Sequence, residues 1–226
     1  MNKTDFLRDV PIFSELQDNT LEKIYNSGYI KSYKKGDTIL SESESGTSMF
    51  FIVEGKVKVI RSDEDKEIII SLLGPGEFFG EMSILDGMGR SATVTAVEDS
   101  KLFILQRHEF LDLLYSYPEV SVSLLRELSI RLRNATNKIK ALSLKDAEGK
   151  VATVLLQIAD DIGRIKQGVV EIDNLPYQQE LANMAGTSRE TISRTLHSFA
   201  KKGLIEIEGS KIRILNYEQF RELYGK

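Results

Sequence analysis

Apolar residues change their spacing three times along the chain and so divide it into four stretches. Between about Phe6 and Ser27 they recur at helical intervals, with a break at Pro11. Between Tyr29 and about Leu105 they gather into short β-branched and aromatic runs: Met49 to Val53, Val57 to Ile60, Ile68 to Leu73, Ala92 to Val97 and Leu102 to Leu105. Turn residues separate these runs, most clearly at Gly36-Asp37, Gly46, Glu54-Gly55 and Gly74-Pro75-Gly76. Many short strands at this spacing predict a sandwich or barrel rather than a βαβ sheet.

The third stretch is helical. After Tyr117-Pro118 no Gly or Pro appears until about Lys145, and Leu125, Leu128, Leu132, Ala135, Ile139 and Leu142 alternate spacings of three and four. That is a coiled-coil seam of roughly two to three heptads. Arg131, Arg133, Asn137 and Lys138 flank it, which favours a parallel homodimer; the alternative is a helix packed on its own domain. In the fourth stretch Asp146 is placed to cap a helix whose apolar face is Val151, Val154, Leu155 and Ile158. Gly163 to Gly168 reads as a loop, followed by two short helices and a hairpin. The predicted organisation is a strand-rich domain over 1–117, a helix over 118–145 and a third domain over 146–226, an α+β arrangement.

Composition narrows the chemistry. The 226 residues are 41% hydrophobic and 28% charged, as in ordinary globular proteins. No apolar run reaches membrane-spanning length, and the polar start Met1-Asn2-Lys3-Thr4-Asp5 has no signal-peptide core behind it, so a cytoplasmic protein with no membrane partner is expected. The absence of cysteine removes disulfides, Cys-ligated zinc and iron–sulfur clusters. His108 and His197 are too few for a metal-dependent barrel enzyme, and neither has a second cue for haem; no metal and no haem are expected. No Ser, His and Asp stand in a nucleophile motif, which argues against an enzyme. Net charge is −4, so any nucleic-acid surface must be local.

One local surface stands out. Pro176 suits the first turn of a helix running to about Met184, and Gly186 suits a tight turn. Thr187 then caps the next helix, with Glu190 placed to close a capping box. Ile192, Leu196 and Phe199 face inward, leaving Arg189, Glu190, Ser193 and Arg194 outside near the helix start. Arg can hydrogen-bond guanine through two N–H groups, and Glu can accept from the cytosine amino group. Ser188, Thr191 and the helix N-terminus can hold phosphates, and Lys201 and Lys202 add positive charge. Gly203 ends the helix, and Leu204 to Ile207 with Ile212 to Leu215 form a hairpin around Gly209-Ser210. The competing reading is a solvated helix in which Glu190 pairs with Arg194.

A second constellation runs from Gly76-Glu77-Phe78-Phe79-Gly80-Glu81 to Gly89-Arg90-Ser91-Ala92-Thr93. Gly80 opens a helical turn with free backbone N–H groups that favour an anion. Arg90 supplies a fixed charge for a phosphate, Ser91 a further bond, and Glu81 an acceptor for a sugar hydroxyl. The alternative is a structural Glu81–Arg90 ion pair.

Together these residues resemble the cyclic-AMP receptor protein/FNR family of bacterial regulators over nearly the whole chain, closest to the cyclic-AMP receptor protein branch. Ser188, Arg189, Glu190, Thr191 and Arg194 match that family's Ser-Arg-Glu-Thr-x-x-x-Arg motif, which reads TGTGA-type half-sites. Gly80, Glu81, Arg90 and Ser91 match its phosphate-binding cassette. The resemblance implies a jelly-roll-like β-roll that binds a cyclic nucleotide, cyclic AMP first among them. It also implies a long dimerisation helix, a winged helix-turn-helix on double-stranded DNA, and RNA polymerase as a partner. There are departures. Tyr177 and Glu208 replace phosphate-contacting residues, and the wing lysine is displaced to Lys211. Where the family's cyclic-AMP receptors place adjacent Thr and Ser against the adenine, this chain has Ala135 and Thr136. Thr136 keeps a hydroxyl and Ala135 does not, which leaves open the same DNA reader under a different ligand or under none. A β-barrel metabolic enzyme is the reading from another class.

Overall fold

The computed structural model describes residues 3–63 and 66–225. They form two compact units: residues through Arg61 with Leu73–Arg133, and Ser62–Leu72 with Asn134–Lys226.

The first unit begins with helix α1 (Asp5–Arg8), a single 3-10 turn at Pro11–Phe13 and α2 (Asp18–Ser27). Strands β1 (Tyr29–Tyr33), β2 (Thr38–Leu40), β3 (Ser48–Glu54) and β4 (Val57–Asp63) follow. After β5 (Lys66–Leu73) come β6 (Phe78–Phe79), α3 (Glu81–Asp86), β7 (Thr93–Ala96), β8 (Ser100–Gln106) and α4 (Arg107–Ser116). One sheet has the order β1-β8-β3-β6 and the other β2-β7-β4-β5.

The unbroken apolar run at Met49 to Val53 has a simple cause: β3 is covered on both faces. Phe50 and Ile52 join Leu102 and Ile104 of β8 in a core shared with Leu40, Val57, Val94 and Ala96 of the opposite sheet. Met49 and Phe51, one residue out of phase, join Phe103 and Leu105 against Phe13, Leu21, Ile24, Phe110 and Val120 of the helices. Phe51 packs 5.1 Å from Phe13 and 6.1 Å from Phe103, centroid to centroid. Complete burial of each such side chain is worth about 1.5–3 kcal/mol.

Helix α5 (Pro118–Leu144) is continuous, as its spacing predicts. Its apolar residues are divided between covered and exposed ones. Val120 and Leu124 are buried in the core of the first unit and Leu128 packs against it, while Ala141 is buried and Leu142 half-buried. Exposed are Val122, Leu125, Ile130, Leu132 (69%), Ile139 and Leu144. Spacings of three and seven put Val122, Leu125, Leu132 and Ile139 on one stripe, with Ile130 and Leu144 off it. Of the predicted seam, Leu125, Leu132, Ala135 and Ile139 are exposed, and Leu128 and Leu142 are half-buried.

The second unit contains α6 (Ala147–Ile162), β9 (Arg164–Lys166), β10 (Val169–Ile172), α7 (Gln178–Ala185), α8 (Arg189–Lys201), β11 (Ile205–Glu208), β12 (Lys211–Ile214) and α9 (Tyr217–Tyr224). Asp146 caps α6 by accepting from Gly149 N–H at 2.8 Å. The sheet order is β11-β12-β10-β9. Where the composition of Gly163 to Gly168 reads as a loop, Arg164 to Lys166 instead pair with Val169 to Glu171 across a turn at Gln167 and Gly168, both at positive φ. Helix α9 is capped by Asn216 and closes an aromatic cluster of Phe199, Phe220 and Tyr224 with centroids 5.1–5.4 Å apart. Among the described residues no helix is long and apolar enough to cross a membrane.

Candidate ligand pocket and nucleic-acid interface

The candidate ligand-binding residues lie in the first unit, where β6 turns into α3. Gly80 caps α3 at φ 87°, a left-handed conformation. A side chain there would be strained, and its Cβ would also stand 2.8 Å from an Arg90 guanidinium nitrogen. Arg90 is buried, 7% exposed. Its Nη1 donates to the Gly80 carbonyl at 2.9 Å and to Ser83 Oγ at 2.8 Å, and its Nη2 to the Ser48 carbonyl at 2.8 Å. The Phe50 ring lies 5.7 Å from the guanidinium carbon. Burial pulls the Arg90 pKa below its ordinary value, against the attraction of Glu44 and Glu81. The group stays charged, since arginine is not deprotonated in proteins. These three bonds engage three of five N–H donors, so the site holds a pre-oriented cation with capacity for an anion.

Glu81 occupies the first turn of α3 and is 5% exposed. Its ion pair runs to Arg131 of α5, 3.3 Å away, rather than to Arg90 as the structural alternative has it. Arg131 also donates to the Phe78 carbonyl at 2.9 Å, pairs with Glu127 and stacks 4.3 Å over the Phe78 ring. Sequence reasoning places Arg131 only as a flank of the helix seam; nothing local signals a partner fifty residues earlier. Ser91 is exposed, with its hydroxyl 3.4 Å from Met82 Sδ. Thr136 and Ala135 are exposed on the part of α5 that belongs to the second unit. Among the described residues no group of three or more His, Asp and Glu side chains is placed to hold a metal ion.

The second site lies between α7 and the hairpin of β11 and β12. Gly186 ends α7 at φ 57°, and Thr187 N–H bonds back to the Ala182 carbonyl at 3.0 Å. The chain then re-enters a helix at Ser188, which is the cap: its Oγ accepts from Thr191 N–H at 3.2 Å. The cap therefore falls one residue later than the Thr187 expected from sequence, and Thr191, not Glu190, takes the third helical position. Pro176 likewise lies outside α7. Tyr177 is the cap there, its N–H donating to Glu180 at 2.8 Å.

Ile192, Leu196 and Phe199 of α8 are buried, with Thr195, while Arg189, Glu190, Ser193 and Arg194 are exposed. The Glu190–Arg194 pair of the competing reading does not form among the described contacts. Glu190 accepts from its own backbone N–H and from the Ser188 hydroxyl, which hold its carboxyl below the usual carboxylate range. Arg194 reaches Thr191 Oγ1 at 3.4 Å. Both groups thus remain on the outer face. A groove of about 620 Å³ separates α8 from the hairpin, lined by Tyr177, Gln178, Ser193, His197, Ile207 and Ser210 among others. Lys202, read from the sequence as adding local positive charge, is bound to Glu148 at 2.7 Å, and Lys211 pairs with Asp173 at 3.4 Å.

Residues 30–117 match the cyclic nucleotide-binding domain family, and residues 149–223 the Crp-like helix-turn-helix domain. The chain is 31% identical over 216 residues to the CRP-like cAMP-activated global transcriptional regulator of Mycobacterium tuberculosis, covering 95% of this chain and 96% of that one. It is 34% identical over 209 residues to the cyclic AMP receptor protein of Thermus thermophilus, covering 92% and 94%. Among solved structures, the catabolite activator protein of Thermus thermophilus aligns with 95% of this chain and 98% of its own, at 32% identity and a TM-score of 0.55.

Proposed function

Because the chain belongs to the cyclic-AMP receptor protein/FNR family of DNA-binding transcription regulators, we propose that it acts as a homodimer on palindromic TGTGA-type half-sites, with cyclic AMP as its effector. Its relatives are regulators and not enzymes. The observation that carries the reading is the outer face of α8: two arginines and a glutamate stand exposed at the start of a helix whose opposite face is locked in the core. In a major groove Arg189 and Arg194 would each take a guanine and Glu190 a cytosine amino group, while Ser188 and Thr191 hold phosphates. The exposed stripe Val122, Leu125, Leu132 and Ile139 supports pairing of two α5 helices. Two-fold symmetry then sets the two reading helices about 34 Å apart, one turn of DNA. In this scheme residues 1–117 sense, 118–145 dimerise and 146–226 read. RNA polymerase is a partner that the family resemblance implies.

For the effector, Arg90 and Ser91 would hold the cyclic phosphate, Gly80 the approach to it, and Glu81 a ribose hydroxyl. The resemblance assigns Thr136 to the base. Glu81 is already bound to Arg131, so a hydroxyl that draws on the same carboxylate alters a contact of α5. A ligand that binds one arrangement of α5 better than another shifts the population toward it. Ala135 supports a second reading: without its hydroxyl cyclic AMP loses about 0.5–1.5 kcal/mol, and a different ligand could drive the same reader.

Calorimetry with cyclic AMP and cyclic GMP, on the wild-type chain and on Arg90→Ala, tests the pocket. Cyclic AMP should bind, and Arg90→Ala should lose most of that binding while remaining dimeric. Unchanged affinity in Arg90→Ala would remove the pocket from the account. Absence of cyclic-nucleotide binding with DNA binding retained would favour the second reading.

A further inference from the structure

The second unit incorporates a strand that comes from far earlier in the chain. Ser62–Leu72, most of which is β5, is part of the compact body formed by Asn134–Lys226. Strand β5 is the last in the order β2-β7-β4-β5, so among the described residues one of its edges has no strand beside it. An open edge presents backbone N–H and C=O groups in need of partners. Here helical side chains supply them. Lys138 Nζ and Gln157 Nε2 donate to the Ile70 carbonyl at 3.3 and 3.0 Å. Leu72 N–H donates to Asp161 Oδ2 at 3.3 Å, and Asn183 Nδ2 donates to the Glu67 carbonyl at 2.6 Å. Ile70 and Leu72 are two residues apart, the interval at which a strand repeats its outward-pointing groups. The end of α5 and helix α6 thus hold the Ile70–Leu72 edge of β5 through side chains, and Asn183 of α7 bonds the strand's backbone at Glu67, out of phase with that edge.

We propose that β5 and α6 form a proton-responsive latch, held more firmly while Asp161 is protonated and loosened as it ionises, so that acidity is a second input to DNA reading. A neutral carboxylic acid keeps a carbonyl oxygen for Leu72 N–H and carries no charge into a buried contact. The ionisable groups facing Asp161 are few. Lys138 approaches from α5, and Asp160 is its neighbour on α6, itself bonded by the Tyr217 hydroxyl and by Arg221 of α9. From β5 only backbone groups reach it in the described contacts. Burial pushes Asp161 up to about 6, against the pull of Leu72 N–H, Gln157 and Lys138, and Asp160 pushes it further up. Lys138 is lowered by burial, opposed by Asp161.

The sign follows from linkage. The latched form holds the proton more tightly than an open form whose Asp161 is solvated near 3.8. Latching therefore strengthens as pH falls through about 6 and is weakest above it. Between pH 7 and pH 5 the latched-to-open ratio should rise about tenfold.

Amide hydrogen exchange at Leu72, divided by its intrinsic rate at each pH, reads that ratio in the full chain without DNA or effector. Protection should rise about tenfold from pH 7 to pH 5 in the wild type. It should stay flat in Asp161→Asn, which keeps an acceptor for Leu72 N–H. Lys138→Met, which removes the nearby cation, should move the inflection to higher pH. A flat wild-type profile, an Asp161→Asn profile that still rises, or a Lys138→Met inflection that does not move overturns the latch. On palindromic DNA, the affinity ratio between pH 5 and pH 7 should differ between wild type and Asp161→Asn. Identical ratios would deny the latch its regulatory role, whatever the effector proves to be.

Discussion

Arg131 Nη1 on α5 lies 3.3 Å from Glu81 Oε1 on α3, joining the long helix to the cassette by a direct ion pair. Glu81 is nearly inaccessible to water, whereas Arg131 is partly exposed. Truncating Arg131 to Met would strand a buried carboxylate. Removing one partner of a fully buried pair costs about 3–5 kcal/mol, and the exposure of Arg131 reduces this to about 2–3 kcal/mol. Urea unfolding should show that loss. The double variant Glu81→Gln with Arg131→Met should recover part of it, because no unpaired charge remains. Purely additive losses would mean that the two groups are not coupled.

The two stripes of α5 make opposite demands. Leu132→Asp puts a charge on the exposed stripe and should shift the chain from dimer to monomer in analytical ultracentrifugation. Leu128→Ala cuts into packing within the first unit. It should cost about 1–3 kcal/mol, below the full-burial range because Leu128 is only partly buried, and leave the dimer intact at native concentrations. A Leu132→Asp chain that stays dimeric would exclude this stripe as the interface.

The helix-turn-helix cap is open to a paired comparison. Ser188→Ala should cost about 1 kcal/mol by leaving Thr191 N–H without its acceptor, while Thr187→Ala should cost less. Thermal or urea unfolding of the two variants distinguishes them. Equal losses would return the cap to Thr187.

These residues also show how far the sequence could be read. Strands β3 and β8 were legible because their apolar residues are continuous over strand-sized runs that include Phe, Ile and Val, a pattern that two covered faces require. The reading helix was legible because Ile192, Leu196 and Phe199 keep helical phase and leave the charged residues outside. The β9–β10 hairpin was not, because Arg164, Ile165 and Lys166 are all exposed and carry no core-facing alternation. The cap slipped by one residue because Thr187 and Ser188 are chemically equivalent cap residues, and only the backbone chooses between them. The Arg131–Glu81 pair and the side chains that hold β5 join positions fifty to more than a hundred residues apart. Such contacts are set by tertiary packing, and no local pattern announces them.

The most direct test of the central claim is base preference at α8. Fluorescence anisotropy would compare wild type and Glu190→Ala on a palindrome of two TGTGA half-sites. The comparison would be repeated on palindromes altered at one symmetric position at a time. The expected result is that Glu190→Ala loses about 1–3 kcal/mol of discrimination at a single symmetric position and keeps it elsewhere. An equal loss of affinity on every sequence, with preference unchanged at all positions, would contradict the assignment of this face to base reading.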